Sequence, residues 1–343
     1  MRCAGQRPIA IFVRLAVAFI AAAALSALPA SAQAAPLLPS PGKVFAGVTG
    51  GYDTAGFERQ TGRHPAVFQF FSAWNGSLEY IFRGAEQSQS RLMMHMSTDR
   101  GGREVITPKG IATGEGDGFI LNLGDRIAEH GAPVYIRLMS EMNAHWNKYC
   151  AYLPSGRRRG PQYTTRWYRQ AWRRFVFVMR GGPTAEVNAK LRALHLPPVD
   201  SARDELAQPE VSFLWVPQVA GAPDVPGNAP RAYWPGSRYV DWVGTDFYAK
   251  FPNWSGLERF YRQFRGKPFV FAEWALWGRD DAAFVRSLFR WTRGHRRVRM
   301  MLYNQGVRDA GPFNLAHYPR GLATLRRVLR APRFAEFTPE YRR

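Results

Sequence analysis

Two glutamates stand where the chain passes from apolar to polar residues, and both are candidates for chemistry. Glu141 lies in the segment IRLMSEMNAHW (residues 136–146), directly after the apolar run VYIRLM. Glu273 ends a second apolar run, PFVFAE (residues 268–273). The two are separated by three strand-to-strand intervals of about 40 residues each, so in a barrel they would close the fourth and seventh strands on opposite sides of its mouth.

Two carboxyl groups facing each other across a cleft are what glycosidic bond hydrolysis with retention needs. One carboxylic acid protonates the leaving oxygen, and the other carboxylate, about 5–5.5 Å away, attacks the anomeric carbon. Different surroundings would set their two pKa values apart. Taken singly, each glutamate also has a structural interpretation, Glu141 as a helix cap or partner of Arg137 and Glu273 as a partner of Arg279.

The rest of the chain must provide the elements that position these groups. Short apolar runs recur along it, with amphipathic stretches between several of them. This alternation predicts an α/β fold, a single-domain (β/α)8 TIM barrel. A doubly wound sheet is the rival, but no Gly-x-Gly-x-x-Gly loop follows the first run. The predicted strands are 43–49, 66–71, 91–96, 134–139, 211–216, 240–248, 268–273 and 299–304; the predicted helices are 119–130, 165–180, 257–264 and 282–292, with a long loop at 181–209.

Polar residues at the carboxyl ends of barrel strands form the site in such folds. This rule, together with the neighbours of Glu141, gives the candidate substrate contacts. We expect Asp246 to be a structural hydrogen-bond acceptor rather than a third catalytic acid. The candidates are His95, Arg137, Ser140, Asn143, Trp146, Gln218, Tyr248 and Tyr303, and Asn304 also ends a run.

Charge and composition limit the class of partner. The 343 residues carry a formal net charge of +21, which would suit a nucleic acid, an anionic membrane or an acidic polysaccharide. The arginines are scattered, apart from residues 157–159 and the tail, and no nucleic-acid motif accompanies them, so we expect no nucleic-acid partner. A single cysteine beyond the leader, Cys150, with no paired histidines at ligand spacing, argues against a zinc site. We expect neither a metal nor a cofactor.

The first residues predict a secretory signal. Three arginines precede the apolar run 15–28, and Ala30-Ser31-Ala32 supplies the small-x-small pattern of a cleavage site. The run is shorter than the ~20 residues that span a bilayer, so we expect export and no stable membrane insertion. The predicted organisation is a signal peptide at 1–32, a linker at 33–43, the barrel at 44–330 and a basic tail at 331–343, in a monomer.

The segment IRLMSEMNAHW resembles the Arg-Pro-x-His-Glu-x-Asn-Gly-x-Trp segment of glycoside hydrolase family 26, the β-mannanase family of clan A. The resemblance runs from about residue 45 to 305. It implies a retaining (β/α)8 enzyme that acts on a β-linked polysaccharide, with Glu141 as acid/base and Glu273 as nucleophile. The further segments that carry it are FERQTGRHPAVFQFF (57–71), GDGFILNLGDRIAEHGAPVYIR (116–137), YWPGSRYVDWVGTDFY (233–248) and KPFVFAEWA (267–275).

The same resemblance implies roles for other residues. Tyr248 would hydrogen-bond the nucleophile, His95 would line the subsite of the sugar being cleaved, and Trp146 would lie at the cleavage point, where an indole face suits sugar C–H groups. The chain departs from the pattern with leucine at 138 in place of proline, Ser140 in place of histidine and alanine at 144 in place of glycine. Because Ser140 would lie beside the bound sugar, the preference for mannan is left open.

Two classes of function therefore fit the sequence. The first is a secreted, retaining, endo-acting glycosidase for mannan, mixed-linkage glucan, xylan or the producer's own exopolysaccharide. The second is a non-catalytic glycan-binding barrel, or an envelope protein whose basic surface holds an anionic polysaccharide. The presence of both carboxylates favours the enzyme, since a pure binding protein has no use for an opposed acid pair.

Overall fold

The computed structural model describes residue 1 and residues 36–50, 54–306 and 310–342. Apart from Met1, the predicted signal peptide lies outside these ranges. In the described chain, eight parallel strands pair in sequence order, and the last pairs with the first to close a barrel. The strands are β1 (Val44–Thr49), β2 (Val67–Ala73), β3 (Arg91–Ser97), β4 (Val134–Leu138), β5 (Val211–Trp215), β6 (Trp242–Tyr248), β7 (Phe269–Ala275) and β8 (Val298–Asn304).

Helices lie between the strands, as in a TIM barrel, and the single-domain (β/α)8 prediction is confirmed. All eight predicted strands match observed strands to within two residues at each end. In the described ranges the α-helices are α1 (Ala55–Thr61), α2 (Glu79–Ser88), α3 (Pro108–Thr113), α4 (Asp117–His130), α5 (Thr165–Arg180), α6 (Thr184–Arg192), α7 (Trp254–Gln263), α8 (Ala282–Gly294) and α9 (Pro319–Leu329).

The strands form because their residues are buried on both faces. Alternate residues of each strand join one of two apolar clusters, a division that follows from the two-residue period of a strand. In β7, Val270 belongs to the smaller cluster, whereas Phe269 and Phe271 belong to the larger one, which also holds the buried faces of the helices. We therefore assign the smaller cluster to the barrel interior and the larger one to the layer between strands and helices.

The four predicted helices are all present as α4, α5, α7 and α8, but the predicted loop at 181–209 was wrong. This segment contains α6, and two short strands, Gly182–Pro183 and Glu205–Leu206, pair in an antiparallel fashion. The helix buries Val187 and Leu191, which lie four residues apart and so share one face. The Pro and Ala content of the segment concealed this short apolar stripe.

The last residues pack against the barrel. A short strand, Phe334–Ala335, pairs in parallel with β1. Farther on, Glu340 forms an ion pair with the buried Arg91 of β3, whose Nη2 lies 2.6 Å from the carboxylate. Within the described ranges, no helix is both long enough and apolar enough to cross a membrane.

Candidate active site

The end of β4 is held in an unusual backbone conformation. Met139 and Glu141 have φ values of 41° and 50°, in the left-handed region that non-glycine residues seldom adopt. The amide of Glu141 donates to the carbonyl of Val216, at 2.6 Å, which fixes the turn against the end of β5. Such conformations persist where the surroundings enforce them, and they concentrate at functional sites.

The carboxylate of Glu141 accepts hydrogen bonds from two neutral donors. The amide of Gln218 donates to Oε1, and the indole Nε1 of Trp146 donates to Oε2 at 2.8 Å. No arginine, lysine or histidine in the described chain forms an ion pair with this glutamate. The two donors orient the carboxyl group without adding a positive charge beside it.

Glu273 reaches the same cavity because β7 contains a bulge. Relative to β6, Phe271 pairs with Thr245 but Glu273 pairs with Asp246, so β7 carries one extra residue between them. Strict alternation would point residue 273 in the same direction as Phe271, away from the barrel axis. The bulge re-aims the glutamate inward, a common use of bulges beside active sites.

The carboxylate of Glu273 is surrounded by donors. Its Oε2 accepts from the hydroxyl of Tyr248 at 2.6 Å and from Nδ2 of Asn304 at 2.7 Å. Its Oε1 accepts from the guanidinium of Arg137 and, at 3.4 Å, from Nε2 of Gln69. Burial by itself would raise the pKa of Glu273, but the charge of Arg137 and these hydrogen bonds outweigh it, and the pKa is lowered. Glu273 is therefore held as an anion.

Arg137 provides the positive charge at the base of the cavity. It is almost fully buried, and it bonds both Glu273 and Asp246. Burial raises the pKa of Asp246 well above its ordinary value, against the attraction of Arg137 and with the help of the neighbouring negative charge of Glu273. Because Asp246 gives up its charge more readily than Glu273, the positive charge of Arg137 is balanced chiefly by Glu273.

His95 is a neutral member of the site. Burial, and then the positive charge of Arg137, lower the pKa of His95 to about 3. A neutral imidazole has one donor and one acceptor nitrogen, so it can hydrogen-bond a sugar hydroxyl in either sense. The positive charge of this part of the site therefore comes from Arg137 rather than from His95.

These groups line one cavity of about 690 Å³. Its base is polar, and its rim carries aromatic side chains. Three rim residues are exposed to an unusual degree for large apolar groups: Phe71 at 41%, Trp146 at 54% and Phe251 at 67%. Exposed rings around a polar cleft suit ligands with apolar C–H faces and many hydroxyls, which is the surface of a sugar chain.

Ser140 has a free hydroxyl at this cavity. The residue is 1% exposed and lines the cavity wall, and its Oγ has no hydrogen-bond partner in the described structure. Its backbone carbonyl is fixed by the hydroxyl of Tyr149 at 2.6 Å. A buried hydroxyl without a partner is costly, so a ligand hydroxyl or a water at this point would be stabilised.

Most of the predicted site residues meet here, but three differ from expectation. The cavity is lined by Glu141 and Glu273 together with His95, Arg137, Ser140, Trp146, Gln218 and Tyr248. Arg137 lines the cavity, but its Nη atoms already bond Glu273, Asp246 and Gln69, and its Nε is the guanidinium nitrogen without a hydrogen-bond partner. Its observed contacts are with Glu273 and Asp246, so it helps to hold these carboxylates in place.

Asn143 and Tyr303 lie outside the cavity lining. The side chain of Asn143 is buried and bonds the backbone of Gln218 in both directions, at 2.9 Å each, so it fixes the segment that carries Gln218. Tyr303 donates to the carbonyl of Phe313 at 3.0 Å and packs edge-on against Trp274. It faces the helix layer because the alternation of β8 gives the inward position to the next residue, Asn304.

Several cavity residues were not among the predicted contacts. Gln69 is not a lining residue, but it hydrogen-bonds Glu273 and Arg137 and was not predicted either. It interrupts the run AVFQFF with a polar residue, and that interruption was the available signal. Asn304 ends β8, and the sequence predicts it only as a residue at the end of an apolar run. Phe71 in β2 and Asp246 in β6 also line the cavity. The remaining lining residues outside the predicted contacts come from loops, where the sequence has no comparable periodicity: Asn147, Phe251, Trp277 and Phe313. Within the described residues, no group of three or more His, Cys, Asp or Glu side chains is arranged to hold a metal ion.

No protein-family model and no curated protein sequence matches the chain. Solved structures match it over most of its length. The catalytic domain of a GH26 endo-β-1,4-mannanase from Bacillus sp. JAMB-750 aligns with a TM-score of 0.61 at 13% identity, over 91% of this chain and 93% of that one. GH26A from Muricauda sp. MAR_2010_75 aligns with a TM-score of 0.57 at 14% identity, over 90% of this chain and 95% of that one.

A GH26 β-mannanase from Bacteroides ovatus aligns with a TM-score of 0.55 at 17% identity, over 86% of this chain and 90% of that one. The likeness is one of fold. The chain has the barrel of these glycoside hydrolases, at an identity too low to carry over their substrate.

Proposed function

We propose that the protein is a secreted, retaining, endo-acting β-glycosidase that cleaves a β-linked polysaccharide. The observation that carries the proposal is the contrast between two glutamates in one cavity. Glu273 is held as an anion by Arg137, Tyr248 and Asn304, whereas Glu141 is oriented by the neutral donors Gln218 and Trp146. Two carboxyl groups with different surroundings are suited to different roles.

In the first step, the protonated carboxyl of Glu141 gives its proton to the glycosidic oxygen. The carboxylate of Glu273 attacks the anomeric carbon at the same time, the bond from that carbon to the glycosidic oxygen breaks, and the shortened chain leaves as an alcohol. The product is a glycosyl ester of Glu273. The lowered pKa of Glu273 supports this role, because the nucleophile must be ionised before the sugar arrives.

In the second step, the Glu141 carboxylate removes a proton from water. The oxygen of that water attacks the anomeric carbon, the ester bond to Glu273 breaks, and Glu273 leaves as a carboxylate. Two displacements at the same carbon return its original configuration. Arg137, Tyr248 and Asn304 hold the carboxylate of Glu273 in one orientation throughout the cycle, which reduces the reorganisation that each displacement needs.

The proposed substrate is a neutral, β-linked polymer related to mannan. The aromatic rim and the uncharged contacts offered by His95, Ser140 and Gln218 support a neutral sugar chain. The solved structures with this fold are described as mannanases, which supports the same class. We propose secretion on the basis of the leader in the sequence, and no step of the mechanism needs a metal or a cofactor.

The test is a polysaccharide panel with sizing of the products. The mature protein should release oligosaccharides from at least one of mannan, mixed-linkage glucan or xylan, with retained anomeric configuration in the initial product by NMR. Glu141→Gln and Glu273→Gln should each lower kcat/KM by about 10³-fold or more. Glu129→Gln, on the exposed face of α4, is the matched control and should have no effect. Binding of these polymers without turnover would contradict the proposal.

A further inference from the structure

A groove lined by arginines lies on the outer surface of the barrel, between α8 and α9. It has a volume of about 380 Å³, and no aspartate or glutamate lines it. Its base is apolar and includes Phe289 and Phe334, which are 8% and 5% exposed. We call it the arginine groove, and its five arginines are Arg286, Arg290, Arg293, Arg327 and Arg333.

The positions of these arginines follow from helix geometry. Arg286, Arg290 and Arg293 are spaced i, i+4, i+7 along α8, so they form one stripe on a single helix face. At 1.5 Å per residue, the stripe places charges about 6 Å and about 10 Å from its first member. Arg327 of α9 and Arg333, just beyond that helix, line the opposite side.

Several arginines on other helices have an acidic partner, whereas those of the arginine groove have none in the described chain. On α2, α4 and α7, arginines pair with glutamates, for example Arg126 with Glu129 at 2.6 Å and Arg262 with Glu258 at 2.7 Å. None of the five groove arginines forms an ion pair in the described chain, and Nε of Arg333 is buried without a hydrogen-bond partner. Like charges at i, i+4 repel each other, so the stripe has a cost that a bound anion would remove.

The charges also act on one another across the groove. Burial, followed by the positive charges of Arg293 and Arg299, lowers the pKa of Arg333. Arg299 is not available for a ligand, because it donates to the carbonyls of Lys43, Pro39 and Ser40. Arg286 also lines a neighbouring pocket that contains Asp280 and Asp281. These carboxylates accept from the backbone N–H groups of Gly321 and Phe284, and Asp281 thereby caps α8.

We propose that the arginine groove binds an anionic polysaccharide, one that carries carboxylate or phosphate groups at regular intervals. The guanidinium group binds both types of group in a two-point geometry, and the groove is built from arginine without lysine. The site is separate from the catalytic cavity and takes a different class of ligand. It would hold the enzyme on an acidic matrix while the neutral chain is cut, which raises the effective concentration of substrate at the cleft.

The groove fits other polyanions less well. Single-stranded nucleic acid is bound through aromatic rings on which bases stack, but Phe289 and Phe334 are buried beneath the arginines. A membrane surface is bound by a convex face with inserted apolar side chains, whereas this site is recessed. The large apolar side chains that are exposed in the described chain lie elsewhere, including Phe71, Trp146 and Phe251 at the catalytic cavity.

The test is the affinity of the mature protein for polygalacturonate, measured by calorimetry at low and high salt. The triple variant Arg290→Gln, Arg293→Gln, Arg327→Gln should bind about tenfold more weakly than wild type. The control triple, Arg192→Gln, Arg231→Gln, Arg259→Gln, removes three exposed arginines from other surfaces and the same net charge. It should change the affinity less than threefold, and wild-type binding should weaken as salt screens the charges.

Three results would overturn the proposal: no binding by wild type, equal loss in the two triple variants, or tighter binding of single-stranded DNA or anionic vesicles through the same arginines. Unchanged kcat on a neutral polymer, or an unchanged circular dichroism melting curve, shows that the groove variant is folded. The measurement is repeated with Glu273→Gln, in which binding of polygalacturonate should persist. The result is therefore independent of whether the catalytic proposal holds.

Discussion

The hydroxyl of Tyr248 lies 2.6 Å from Oε2 of Glu273 and donates a hydrogen bond to it. The donor is itself buried, and its pKa is raised well above the ordinary value by that burial and by the negative charge of Glu273. Tyr248 therefore stays protonated at neutral and acidic pH, where it keeps donating to Glu273. This bond is one of the contacts that lower the pKa of Glu273.

The first prediction is that Tyr248→Phe moves the acidic limb of the kcat/KM profile to higher pH. Hydrogen bonding to the charged form lowers an acid's pKa, so its loss raises the pKa of Glu273. More of the nucleophile is then protonated at a given acidic pH. The measurement is kcat/KM against pH for wild type and variant.

Tyr303→Phe is the matched control for this substitution. The hydroxyl of Tyr303 donates to the backbone carbonyl of Phe313, and the residue lies outside the cavity lining. The variant should therefore leave the acidic limb of the kcat/KM profile unchanged. A limb that stays unchanged in Tyr248→Phe, or that moves equally in both variants, would show that this hydroxyl does not act on Glu273.

The second prediction concerns Ser140. Its unpartnered hydroxyl lines the cavity where the resembled family has histidine, and a site built around one hydrogen-bond pattern rejects substrates that leave its groups unpaired. We expect slow turnover of plain β-1,4-mannan and faster turnover of a substituted or differently linked polymer. Ser140→His should shift the ratio of kcat/KM values toward mannan by about tenfold or more.

The control for this shift is Ser140→Ala, which removes the hydroxyl without adding a ring. It should lower kcat/KM on the preferred substrate and should not raise kcat/KM on mannan. The requirement for both glutamates should remain in each variant. If mannan is already the best substrate and the histidine variant leaves the ratio unchanged, Ser140 does not determine specificity.

Much of the barrel follows from the sequence because its strands are buried on both faces. Each strand is therefore a short apolar run that can be recognised in the sequence without knowing which strands pair with it. The same reasoning places Glu141 at the end of β4. The direction of Glu273 could not be obtained in this way. Alternation from Phe271 points the glutamate away from the axis, and the bulge that corrects it depends on the register with β6.

Other differences have the same origin in tertiary structure. Tyr303 and Asn304 are adjacent polar residues at the end of β8, and only the observed alternation decides which of them faces the cavity. Arg137 lies in β4 just before Glu141, where the sequence predicts a substrate contact. Its two carboxylate partners come from β6 and β7, far away in sequence, so the pairings could not be predicted. Pairings between distant residues leave no periodic signal in the chain.

The third prediction concerns the contact between Glu340 and Arg91. The buried guanidinium of Arg91 donates two hydrogen bonds to the carboxylate of Glu340, from Nε at 2.7 Å and from Nη2 at 2.6 Å. Glu340→Gln should lower the free energy of unfolding at neutral pH by about 1.5–3 kcal/mol, since it removes the negative charge beside a buried guanidinium and replaces one of its two acceptor oxygens with an NH2 donor. Urea unfolding is the measurement.

The pH dependence of that difference gives a second check. Burial raises the pKa of Glu340, but its hydrogen bonds with Arg91 outweigh this effect and lower the pKa. The contribution to stability is thus present above the ordinary glutamate pKa of about 4.3 and is lost as the pH falls through the lowered value. Glu129→Gln removes an exposed pair and should cost less than about 1 kcal/mol. A pH-independent difference would contradict the account.

The central claim is that Glu273 is the nucleophile. Glu273→Ala removes its carboxylate and should abolish turnover while leaving space beside Tyr248 and Asn304. Added azide, a small anion, should enter this space and attack the anomeric carbon of a substrate with a good leaving group. The most direct measurement is the rate of that variant with and without azide, together with the configuration of the glycosyl azide by NMR. We predict partial rescue with an inverted product; full activity without Glu273, or an azide product of retained configuration, would contradict the assignment.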